Sequence, residues 1–195
     1  MFTVSYSSSR TRKLVLLSVL TGIALLMQYL NFPLPLFPSF LKIDFSEIPA
    51  LIGAFLFGPI SGVVIELLKN LLHFLLSGSE TGAIPLGQIA NFIAGSLFVV
   101  TSVWISRKIN GIKGMIIGTA VATILMTVLL TIANYYMIFP LYSYLINWTV
   151  TGEAKDALIF YGVAPFNLLK GILLGLLFIP LYQKLFPILS MQVKR

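Results

Sequence analysis

The chain is 195 residues long, with 13 lysines and arginines, six acidic residues, one histidine, no cysteine and a formal net charge of +7. Only 10% of its residues are charged and its mean hydropathy is +0.98, whereas a soluble domain of this size carries about a quarter charged residues. This excludes an ordinary soluble domain, disulfides and thiolate metal sites, and it leaves little material for metal or acid–base chemistry.

Six apolar stretches fill the sequence: 14–30, 48–57, 60–76, 84–105, 115–140 and 163–185. Runs near ~20 residues match a ~30 Å hydrocarbon core at ~1.5 Å rise per residue. The expected fold is an all-α polytopic membrane protein, six transmembrane helices in a single bundle.

The N-terminal tail, 1–13, ends in Arg10, Arg12 and Lys13. No small-residue cleavage site follows the first apolar stretch and further spans do, so it reads as an anchor and not as a removable signal peptide. Ser18 and Gly22, one turn apart on it, form a small-residue face that admits a close-packed helix. The connection 31–45 holds Pro33, Pro35 and Pro38 among Phe32, Leu34, Leu36, Phe37, Phe40 and Leu41. Proline at that density forbids a helix, and so apolar a loop must fold over something apolar, as a lid. Asp44-Phe45-Ser46-Glu47 reads first as a capping box, with ligand contact by Asp44 or Glu47 as the second reading.

The stretch 48–76 would be about 43 Å long as one helix, with Gly58-Pro59 at its middle. Split there, with Pro59 in the first turn of a new helix, the chain has six spans. Three basic clusters then share the cytoplasmic side, as the positive-inside rule requires: Arg10/Arg12/Lys13, Arg107/Lys108/Lys113 and Lys184/Lys194/Arg195. Both termini are therefore expected in the cytoplasm, with 14–187 as the membrane domain and 188–195 as a short tail. The same clustering turns the net charge toward lipid headgroups and away from nucleic acid. The connection 141–161, with Tyr142, Tyr144 and Trp148, suits the headgroup level. Small residues recur at four-residue spacing elsewhere, as Ala50/Ala54, Gly58/Gly62, Gly114/Gly118/Ala122 and Gly171/Gly175, and most of these pairs are expected to pack within the bundle.

Polar groups inside spans are expensive unless paired or functional. Gln88 and Asn91 in the fourth span, Asn134 in the fifth, and Asn167 and Lys170 in the last all fall in the outer half of the membrane, beneath the proline-rich loop. Singly each is explained as a helix–helix hydrogen bond; together they outline a pocket for a flat, largely uncharged ligand with carbonyl and ring-nitrogen acceptors. Glu66 and Lys69 are spaced to pair on one helix face, and His73 reads as a structural hydrogen-bonding group. With no Gly-Lys dipeptide there is no P-loop. With no Gly-x-Ser-x-Gly elbow and a single histidine, protease chemistry has no support. No catalytic or metal-ligating residues are assigned, and no enzyme is expected.

Basic cytoplasmic ends, an apolar outer loop and the run from Asp44-Phe45-Ser46-Glu47 through Gly58-Pro59 resemble the substrate-binding S components of energy-coupling-factor (ECF) vitamin transporters, over nearly the whole chain. Asn134 with Asn167-Leu168-Leu169-Lys170 is similar to the riboflavin-specific branch. The resemblance implies that these three polar residues hold an isoalloxazine ring, that Phe40 and Leu41 close over it, and that Gln88 and Asn91 reach its polar edges or the ribityl hydroxyls. It also implies a bacterial plasma-membrane protein with no cofactor, for which riboflavin is the transported ligand. Its partners would be a transmembrane T component, docked on Ser18 and Gly22 where the family carries alanines, and two ATPases. An S component for another vitamin, or a structural or assembly membrane protein, are the alternatives.

Overall fold

The computed structural model describes residues 10–109 and 111–194, with side chains as far as residue 184. Residues 1–9 of the expected N-terminal tail, and Arg195 with the Lys194 side chain of the third basic cluster, lie outside the described residues. Among the described residues, six helical rods form one bundle. The first four are α1 (Arg10–Tyr29), α2 (Glu47–Phe57), α3 (Pro59–Ser77) and α4 (Leu86–Lys108). The fifth joins α5 (Ile112–Ala133), a π-helical turn at Asn134–Ile138 and α6 (Phe139–Ile146); the sixth joins α7 (Gly152–Ala157), a second π-helical segment at Leu158–Val163 and α8 (Ala164–Lys194). Five rods are long and apolar enough to cross a membrane. The remaining rod, α2, has 11 residues, about 16 Å.

The break after α2 falls where the sequence places it. Gly58 has φ of 105° and Pro59 opens α3: the glycine supplies backbone that other residues rarely adopt, and the proline needs no N–H at that position. Ile48, Ala50, Leu51, Ala54 and Leu56 of α2 are all buried, and the helix packs against α1, α3, α4 and α8. A short helix apolar all round is a core element. The preceding connection carries two short strands, β1 (Phe32–Pro33) and β2 (Lys42–Ile43), paired antiparallel with Phe32 opposite Ile43. This clasp was not expected from a proline-rich loop; it closes the ends of the loop while the tip stays irregular.

The connection 141–161 differs from expectation. Most of it belongs to the fifth and sixth rods as α6, α7 and the second π-helical segment, leaving 147–151 as loop. Nothing in Leu141–Ile146 breaks a helix, and the stop comes at Asn147, whose φ of 57° is left-handed. At the other end, the backbone of α8 runs on through Lys194, past residue 187, where the tail was expected to begin.

Small residues set the helix contacts. A Cβ on Gly62 would meet Ala54 Cβ at 2.8 Å, and one on Gly118 would meet the Ser102 carbonyl oxygen at 2.5 Å. Gly171 faces Thr123 of α5 just as closely. These stripes lie between helices, as close backbone approach requires. Ser18 and Gly22 do not: both are exposed, and a Cβ on Gly22 would meet nothing within 4 Å.

Candidate ligand-binding site

One cavity of about 440 Å³ opens among α4, the fifth and sixth rods and the proline-rich loop, within the range that takes a drug-sized ligand. Its α4 wall is made of Gly87, Ala90, Asn91 and Ala94. Small residues three and four apart turn one face of the helix into a shallow slot, a spacing visible in the sequence but not read from it. Met126, Leu130, Ile138 and Phe139 supply the facing apolar wall, with Val163 and Phe166 from the last rod.

The loop covers this slot. Phe40 and Leu41 line the cavity, and Phe40 packs edge-on against Trp148 and Phe139 with ring centroids 5.6 and 6.2 Å away. Phe37 meets Phe166 in the same way at 5.5 Å. The lid is thus held by aromatic edge-to-face contacts. Tyr142, on α6, and Trp148, in the loop that follows it, also line the cavity. Exposed Ser39, Lys42 and Glu80 mark the mouth.

Of the polar residues singled out in the sequence, Asn91, Asn134, Asn167 and Lys170 line the cavity together. Asn134 and Asn167 each donate Nδ2–H to the carbonyl four residues earlier, Leu130 and Val163, at 2.8 Å. That bond fixes each amide and leaves an Oδ1 acceptor and one N–H free. Asn134 opens one π-helical turn and Asn167 follows the other, in keeping with the frequent placement of π-bulges at functional sites. Asn91 Oδ1 is buried without a hydrogen-bond partner, which is costly in an apolar site unless a ligand supplies a donor. Acceptors are therefore as prominent here as the donors expected from the sequence.

Gln88 is a correction. It is not among the cavity-lining residues; its Nε2 reaches the Gly78 carbonyl at 2.9 Å and His73 Nδ1 at 3.3 Å. The last carbonyls of α3 have no helical partner, and the long amide satisfies one of them. His73 also packs on Tyr29, ring centroids 5.0 Å apart and tilted by 34°.

Asp44 and Glu47 are a second correction. Ser46 is the N-terminal cap of α2 and makes no side-chain capping bond, so there is no capping box. Both carboxylates are buried and accept from Lys170 Nζ, Asp44 Oδ2 at 3.2 Å and Glu47 Oε1 at 2.8 Å. Asp44 also lines the cavity. Burial pushes its carboxyl up, but the Lys170 and Lys69 ammonium groups and two bonds from Ser46 hold it down to about 2. The expected Glu66–Lys69 pair forms at 2.9 Å, and the carboxylate of Glu66 occupies the space a Cβ at Gly95 would need.

The family model "ECF transporter, substrate-specific component" matches residues 12–182. The riboflavin transporter FmnP of Bacillus subtilis (strain 168) is 38% identical over 184 residues, 94% of this chain and 96% of its own length. The riboflavin transporter RibU of Staphylococcus aureus (strain TCH60) is 38% identical over 176 residues, 90% and 91% of the two chains. A solved structure of the S component of a bacterial ECF transporter superposes with a TM-score of 0.80 at 36% identity, covering 93% of this chain and 99% of that one. An all-α bundle with a lidded cavity, matched along nearly its whole length to such proteins, belongs to the substrate-specific components of ECF transporters.

Proposed function

We propose that the protein captures riboflavin at the outer face of a bacterial plasma membrane for ATP-dependent uptake driven by partner subunits. The observation that carries this is the convergence of Asn91, Asn134, Asn167 and Lys170 on one apolar slot under an aromatic lid, together with relatives named as riboflavin transporters. An isoalloxazine ring is flat, with large apolar faces and an imide edge that alternates carbonyl, N–H and carbonyl. Amides that offer an acceptor beside an N–H match such an edge. Lys170, with two N–H bonds committed to carboxylates, has one left for a ring oxygen or nitrogen. Asn91 Oδ1 takes a ligand N–H or hydroxyl, and the ribityl chain points to the polar mouth. The chain is a binding subunit, and hydrolysis of ATP falls to two ATPases acting through a T component.

In the same reading all six rods serve as spans, α2 completed by the clasped loop above it, and both termini face the cytoplasm with the basic clusters. Ser18 and Gly22 face outward for the T component. The test is fluorimetric: riboflavin added to the purified protein loses its fluorescence on binding, saturably and at one site per chain. Absence of quenching at micromolar riboflavin, with another vitamin binding instead, overturns the ligand assignment.

A further inference from the structure

Beneath the cavity lies a closed ring of buried polar groups. Lys69 Nζ donates to Ser46 Oγ, and Ser46 donates to Asp44 Oδ1 through both its Oγ and its backbone N–H. Asp44 Oδ2 accepts from Lys170 Nζ, which also donates to Glu47 Oε1 at 2.8 Å. The same Glu47 oxygen lies 3.9 Å from Lys69 Nζ, which closes the ring, while Glu47 Oε2 has no hydrogen-bond partner. Two carboxylates and two ammonium groups thus share one buried cluster. Glu66 sits outside the ring on the far side of Lys69. The ring joins the loop, α2, α3 and α8, and it touches the cavity through Asp44 and Lys170; Ser46, Glu47 and Lys69 are not cavity-lining residues.

Resting on the riboflavin reading above, we propose that Lys69, which is completely buried and does not line the cavity, is a positioning residue of the binding site: sharing Glu47 directly and Asp44 through Ser46, it limits how firmly these carboxylates hold Lys170. A lone ammonium facing two unshared carboxylates is drawn down between them, and its remaining N–H turns from the ligand. With Lys69 taking part of both charges, Lys170 stays at the height where that N–H meets the cavity. Glu66 balances Lys69 from behind, so the matched pair can be removed without changing the net charge of the cluster.

The test is a double-mutant cycle read in riboflavin affinity. In the native background, Lys69→Met/Glu66→Gln weakens binding by roughly tenfold or more, and the milder Ser46→Ala by roughly threefold. In a Glu47→Gln/Lys170→Met background the arc from Lys69 through Ser46 to Asp44 remains, but the group it positions is gone. Ser46→Ala then leaves the residual affinity unchanged. The same loss from Ser46→Ala in both backgrounds, or no loss in the native one, overturns the proposal and returns the ring to a purely structural role. A folded Lys69→Met/Glu66→Gln protein with native affinity overturns it equally; if that variant fails to fold, the Ser46 cycle decides. A native protein that binds no riboflavin refutes the ligand reading instead.

Discussion

Lys170 commits two of its three N–H groups to Asp44 and Glu47, so its replacement has consequences at both ends of the side chain. Lys170→Ala is expected to weaken riboflavin binding by roughly 10- to 150-fold, from a charged donor's ~1.5–3 kcal/mol. It also strands two buried carboxylates. Breaking a buried pair from one side costs about 3–5 kcal/mol, so the variant should unfold at a clearly lower temperature than the native protein in the same detergent. Equal melting temperatures would show that the ion pairs are not formed in solution. Asp44 gives the matching pH effect. Its carboxyl is held near 2 in the folded chain against ~3.9 when unfolded, so its contribution is complete above about pH 4 and is lost as pH falls toward 2. Asn91 and Gln88 supply a contrast on one helix. Asn91→Leu removes the orphaned acceptor and should cost roughly tenfold or more in affinity. Gln88→Leu, which frees only the Gly78 carbonyl and His73, should leave affinity within about twofold and lower thermal stability. An affinity loss confined to Gln88→Leu would reverse these assignments.

Among the elements, the proline-rich loop and α4 do the shaping. The loop is pinned at its base by the two-strand clasp and at its tip by Phe37 and Phe40 on aromatic partners. A cysteine at exposed Ser39 should therefore react with a membrane-impermeant thiol reagent, and bound riboflavin should slow that reaction. Labelling at the same rate with and without riboflavin would remove the lid role. On α4, Gly95 accommodates the Glu66 carboxylate. Gly95→Ala should drive Glu66 off Lys69 and destabilise the bundle by at least the ~1–3 kcal/mol of an overpacked core, seen as a lower melting temperature. The sequence shows Glu66–Lys69 as a helical pair because i,i+3 spacing is local. It does not show what lies opposite, since that depends on how α3 and α4 are rotated against each other.

For the molecule as a whole, the exposed face of α1 is where variants should separate binding from transport. Ser18→Leu/Gly22→Leu adds bulk where a Cβ meets nothing, so riboflavin binding by the isolated protein should survive while uptake in cells falls sharply. Parallel loss of binding and expression would place the pair inside the bundle. Orientation is tested in the same cells: Thr151→Cys should be labelled from outside and Lys113→Cys should not. Much of this architecture is legible in the residues alone. Hydropathy fixes the helices, Gly58-Pro59 fixes the break between α2 and α3, and scarce polar groups under an apolar loop mark the cavity, because each is a local property of the chain. The direction each polar side chain takes is not local. Periodicity gives the angle between Gln88 and Asn91 around α4, but only its packing decides that one turns to α3 and the other to the cavity. Lys170 and Asp44 are 126 residues apart; no spacing rule joins them, and a buried lysine reads as an unpaired donor until the fold brings α8 against the start of α2. Sequence determined that this chain is a membrane bundle with a polar-lined pocket; tertiary structure decided which polar groups face that pocket and which pair with one another.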